Sequence, residues 1–157
     1  MRTTNVTSES GFAGAVVCWS DGFQIPDSLT VQYNPTQSPI SYNNVVLPPN
    51  MLGIDGESYE VIVRWTAPVA GNYSIRGSFN GVGKTGCGQN SVDVGVYQDV
   101  TTVLAQGNIS YYGQQYGYNI SNVALSAGTT VDFTGTLANT YTCDMVGLIA
   151  TVDRLSP

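Results

Sequence analysis

At 157 residues the chain has the length of one ordinary domain, enough to bury a core without staples. Five Lys plus Arg stand against eleven Asp plus Glu, a net charge of −6 that excludes the basic patch needed for nucleic acid or an anionic membrane surface. His is absent, so Ser/His/Asp and Cys/His nucleophile arrangements cannot form, which argues against an enzyme and leaves no catalytic residue to name.

Taken in chain order, short runs of alternating apolar and polar residues are separated by Gly, Pro and Asn turns, the pattern of an all-β sandwich or barrel. The opening "MRTTNVTSESGF" lacks the apolar stretch of a signal peptide, and no run approaches the ~18 apolar residues of a membrane helix, so no membrane insertion is expected. Strands are expected over roughly 13–19, 28–33 and 41–47 in the first third. Pro26, Pro35, Pro39, Pro48 and Pro49 make residues 1–50 irregular, with edge strands and loops wrapping the sandwich. Further strands are expected over roughly 58–66, 71–80, 90–98, 101–106, 117–125, 129–135 and 144–153, with no linker to divide one domain spanning 1–157.

Alternation also assigns faces. In "YEVIVRWT" Val61, Val63 and Trp65 share the core side while Ile62, Arg64 and Thr66 share the other, so Trp65 reads as frame. Tyr73, Ile75, Gly77 and Phe79 share one face of the next strand, and Val92, Val94 and Val96 point inward from "SVDVGVY", leaving Asp93, Gly95 and Tyr97 outward. "YQDVTT" is a tight hairpin, and Gly71 and Gly128 stand where turns call for a positive φ. The last strand, "MVGLIATV", is apolar on both faces, as near the centre of a sheet or beneath a covering segment.

Three cysteines, with no CxxC spacing, leave either one disulfide and a buried thiol or three buried thiols. The loop settings of Cys87 and Cys143 favour the disulfide between them, with Cys18 as the core thiol. No D-x-D-x-D-G loop is present and "GIDGES" at 53–58 reads as turn chemistry, so calcium has no supporting motif and no cofactor is expected. Asp93 and Asp132 face outward, but nothing in the sequence brings them together as the paired acids of a glycosidase.

The run "VRWTAPVAGNYSIRGSFNGVG", followed by "SVDVGVY", "LSAGTTVDF" and "DMVGLIATV", resembles a bacterial β-sandwich module of secreted and surface proteins over about residues 59–153. That resemblance implies an antiparallel two-sheet jelly roll akin to carbohydrate-binding modules, and hence a non-catalytic, lectin-like protein outside the cell or on its surface. It departs from the pattern at Thr129, where the family has Asp. The richest candidate for a glycan contact is "NISYYGQQYGYN", since sugar rings stack on aromatics and pair with amides. Tyr111, Tyr112, Gln114, Gln115, Tyr116 and Tyr118, with outward Tyr97, are the candidate ligand residues, set against the plainer reading of a Tyr-rich hairpin packed along the sandwich edge. A second reading is a structural subunit of a filament, surface layer or viral appendage, self-assembling by donating its strand-prone N-terminal segment.

Overall fold

A computed structural model describes residues 4–6, 17–20, 30–42, 44–55, 60–83, 91–137 and 145–155. Thirteen strands run through these residues: β1 (Thr4–Val6), β2 (Val17–Ser20), β3 (Thr30–Tyr33), β4 (Ile40–Tyr42), β5 (Val45–Leu47), β6 (Leu52–Asp55) and β7 (Val61–Thr66), then β8 (Gly71–Gly81), β9 (Val92–Gln98), β10 (Thr102–Ile109), β11 (Gln115–Leu125), β12 (Thr130–Leu137) and β13 (Val146–Arg154). They form a seven-stranded sheet ordered β1-β2-β3-β6-β13-β8-β11, a four-stranded sheet ordered β10-β9-β12-β7, and a two-stranded ribbon of β4 and β5. From β7 onward the chain keeps switching between the two large sheets, and all their pairings are antiparallel, so the fold is a jelly-roll sandwich.

The alternations named above point as expected. Tyr73, Ile75 and Phe79 of β8, Val146 and Leu148 of β13 and Tyr118 of β11 meet Val92, Val94 and Val96 of β9 and Val131 and Phe133 of β12 in one core. Phe79, Tyr118 and Phe133 form a chain of tilted rings with centroids 5.6 and 6.1 Å apart. Trp65 is half-buried and meets Tyr73 edge-on at 5.3 Å, closing the core at an edge strand rather than filling its middle. A bulge between Ile120 and Val123, with Asn122 at φ 58°, lets β11 turn Tyr118 inward before it and Val123 and Leu125 inward after it.

The outer side of β13 carries a second, smaller core. Leu47, Met51, Val82 and Met145 pack there, so the second apolar face is covered at its start, over Gly147, while Ile149 further along stays 43% exposed. Gly53 of β6 leaves room for the Met145 sulfur, 2.7 Å from where a Cβ would stand. The strand β6 is the element that "GIDGES" conceals: its first half is sheet, bonded between β3 and β13, and only its neighbours supply that pairing. The expected strand over 41–47 is two, β4 and β5, folded on each other. Asn34, fully buried, holds this region: its Nδ2 donates to the Ser38 and Leu47 carbonyls, and its Oδ1 accepts from the Thr36 amide and hydroxyl.

Turn expectations divide. Gly128 takes φ +88°, and the 99–101 hairpin carries Asp99 and Val100 at φ 47° and 71°. Gly71 instead lies in β8 without a positive φ, where its missing side chain admits Arg154, whose guanidinium donates to the Ala70 carbonyl. Cys87 and Cys143 fall outside the described residues, as does the Cys18 side chain. Strand β1, drawn from the segment considered for donation, pairs with β2 of its own chain.

Candidate functional site

The Tyr-rich segment is split by the fold. Tyr118 is a core ring, 7% exposed, whose hydroxyl donates to the Ile149 carbonyl at 3.0 Å. Tyr116 is half-buried, its ring filling the space left by Gly107 on β10. Gln114 fastens the turn between β10 and β11, accepting from the Ser110 amide and donating to the Asn108 carbonyl. Gln115 points to the outer face of the seven-stranded sheet, bonded to Ser78 and Asn80. Tyr111 and Tyr112, 66% and 45% exposed, stand on the turn that Gln114 fastens. The segment does not converge on one surface.

Burial pushes the Tyr118 phenol well above its ordinary value of 10.0. Between those two values the unfolded chain loses the proton and the native one keeps it. The stabilisation is therefore complete below the ordinary value and is lost as pH rises toward the native one. Tyr118→Phe is expected to cost about 1 kcal/mol at neutral pH by losing the Ile149 bond, and to flatten the alkaline loss of stability. Denaturation midpoints of both proteins across the alkaline range check this; parallel curves would show that another group dominates.

Convergence occurs instead on the outer face of the four-stranded sheet. Alternation puts Tyr97 there, and its ring leans back along β9 over Gly95. A Cβ at Gly95 would stand 2.8 Å from the ring Cζ and the hydroxyl oxygen, so only glycine lets this ring lie on the sheet. Register then sets polar neighbours around it. Gly95 is opposite Gln106 of β10 and Thr134 of β12, and Asp93 is opposite Asn108 and Thr136. These side chains, with Tyr97, line a pocket of about 390 Å³.

The far wall of the pocket is fastened. Asn108 Nδ2 donates to Asp93 Oδ1 at 2.8 Å and to the Ser91 hydroxyl, while Asn108 Oδ1 accepts from the Ser110 hydroxyl. Gln106 and Thr136 make no side-chain hydrogen bond among the described residues, so their polar atoms are open to a ligand.

Beyond Tyr97 the face is closed by an ion pair. Asp132, 1% exposed, accepts Arg64 Nε and Nη2 at 2.6 and 2.7 Å, and its hydrogen bond and then its charge raise the Arg64 guanidinium above its ordinary value. Burying a carboxylate is costly unless it is paired in this bidentate way. Asp132 pairs in register with Tyr97, four residues along β9 from Asp93, a spacing of about 13 Å at strand rise. That exceeds the separation of the paired acids of a glycosidase, about 10 Å at most. Arg76 pairs with Asp153 at 2.7 Å on the other sheet's outer face. No cluster of His, Cys, Asp or Glu suited to a metal occurs among the described residues.

Of the candidate ligand residues only Tyr97 lines this pocket, together with Asp93, which alternation also places outward. Gln106, Thr134 and Thr136 escaped notice because each is unremarkable alone, and Asn108 entered only as the first residue of the Tyr-rich segment. Their signal was the outward parity of strands flanking Tyr97, which needs the pairing order to be read.

No family model matches the chain, and no curated protein does. Solved structures similar to it include TmCBM61 in complex with beta-1,4-galactotriose, at 12% identity and TM-score 0.46, covering 93% of this chain and 92% of that one. A CBM4 structure, at 9% identity and TM-score 0.37, covers 90% and 95%. CBM1 of BiXyn10A, at 11% identity and TM-score 0.35, covers 99% and 91%. These neighbours are carbohydrate-binding modules by name. The architecture stands on the strand pairing of this chain.

Proposed function

We propose that the protein is a non-catalytic carbohydrate-binding module, and that its ligand lies on the outer face of the four-stranded sheet over Tyr97. The observation that carries this reading is the Tyr97 ring laid on Gly95 inside a pocket whose lining, besides Val94 and Gly107, is amides, hydroxyls and one carboxylate. A sugar ring offers apolar C–H faces ringed by hydroxyls. It needs a flat aromatic surface with hydrogen-bonding groups at its margin, and the face provides both on rigid strands. Binding is weak per site because the exposed hydrogen bonds compete with water. An extracellular or cell-surface setting, where polysaccharide is met, belongs to the same reading.

The test is retention on a panel of immobilised xylan, mannan, galactan and β-glucan, with and without calcium. Wild-type protein is expected to be retained by at least one polymer. Tyr97→Ala is expected to abolish retention while keeping the wild-type melting temperature, and Tyr111→Ala and Tyr112→Ala to keep it. Loss of retention in the turn variants but not in Tyr97→Ala would move the site to the β10–β11 turn.

A further inference from the structure

Resting on that reading of the face, we infer that the pocket selects an uncharged glycan and that Asp93 is the residue that sets this preference. Three observations lead there. First, the lining includes a carboxylate, Asp93, and no Lys or Arg among the described residues. Second, the cation on the same sheet face among the described residues is already committed: Arg64 gives both Nε and Nη2 to Asp132, so the pair presents little net charge to a ligand. Arg76 serves Asp153 on the opposite sheet, and Arg154 serves the Ala70 carbonyl at the sandwich corner. The whole chain, at −6, adds to the same sign.

Third, Asp93 is oriented rather than loose. Asn108 Nδ2 holds its Oδ1, and Asn108 is itself fixed by Ser91, by Ser110 and, through its carbonyl, by Gln114. The remaining oxygen, Oδ2, accepts no bond among the described residues. A carboxylate held this way accepts hydrogen bonds from ligand hydroxyls, the charge-assisted bonds that exceed neutral ones in strength. It repels a ligand carboxylate or sulfate brought to the same place. A ligand with hydroxyls over Asp93 and a ring over Tyr97 satisfies both ends of the pocket, whereas a uronic acid sets like charges together.

The experiment compares the neutral polysaccharide retained in the panel with its uronate counterpart: the same polymer oxidised at C6 for mannan, galactan or β-glucan, and glucuronic acid-substituted xylan for xylan. Affinities of wild type, Asp93→Asn and Tyr97→Ala are measured at low and high salt. Wild type is expected to bind the oxidised chain at least tenfold more weakly at low salt, with the gap narrowing as salt screens it. Asp93→Asn is expected to lose three- to tenfold on the neutral chain and to close most of the gap to the oxidised one. Equal or better binding of the uronate by wild type, or an Asp93→Asn variant unchanged on both, overturns the inference while leaving a glycan-binding face intact. Retention of no neutral polymer, with uronates retained, likewise overturns the charge preference alone. Retention of nothing overturns the face and the preference together.

Discussion

Gly77→Ala is expected to destabilise the fold by about 3 kcal/mol, near the upper end for overpacking a well-packed core. Gly77 sits on the inner face of β8, paired with Tyr118 of β11 on one side and Ala150 of β13 on the other. An added Cβ would overlap the Ile149 carbonyl oxygen, stand 2.9 Å from its carbon and come within 2.5 Å of the Tyr118 hydroxyl. The first of these is backbone in the middle of a sheet and cannot swing aside. The methyl group therefore displaces β13 or ejects the Tyr118 hydroxyl from the carbonyl it bonds. Gly117→Ala is the control, because a Cβ there meets nothing closer than 4.0 Å. At that exposed strand position the change is expected to be neutral or slightly stabilising through the unfolded chain. Urea denaturation of the two variants beside wild type checks this, and equal midpoints would show that the sheet yields more than its hydrogen bonding suggests.

Gly95→Ala is expected to lower glycan affinity as much as Tyr97→Ala does, about ten- to a hundredfold or about 1.4 to 2.8 kcal/mol, with little loss of stability. The same kind of clash acts here on a different neighbour. The atoms met are the ring carbons and hydroxyl of Tyr97 on an outer face, which can rotate away without disturbing the core. The ring remains in the protein but no longer lies on the sheet, so this variant separates the platform's geometry from the presence of an aromatic group. Isothermal titration with the retained polysaccharide, together with a melting curve, reads both quantities. Undiminished affinity in Gly95→Ala would show that the ring's contact with the sheet is not what the ligand uses.

Local pattern was a good guide wherever a single strand carried its own signal. The period-two alternation of β8 and β9 placed Phe79 and Val94 in the core, because a strand with one face on a sandwich leaves no other choice. The two-sided apolar β13 lies inside its sheet, between β6 and β8, and Met51 and Val82 cover its second face only at Gly147, leaving Ile149 exposed. Strand β6 was lost because "GIDG" carries turn chemistry, and only hydrogen bonding to β3 and β13 makes it sheet. Tyr111 to Tyr118 divide for a related reason. Residues close in sequence on a bulged strand and its turn face the core, an edge and solvent by turns.

By itself, the sequence determined the all-β class, the inward faces, the outward parity of Tyr97 and Asp93, and the absence of histidine chemistry, since these follow from composition and from the strand's period of two. Only the tertiary structure decided which strands lie side by side. That pairing brings Gln106, Asn108, Thr134 and Thr136 from two other strands around Tyr97, and closes Arg64 on Asp132 across 68 residues of chain. The physical reason is that a sheet face is assembled laterally. Each strand fixes which of its side chains point outward, but hydrogen bonds between strands distant in sequence fix which of them share a surface.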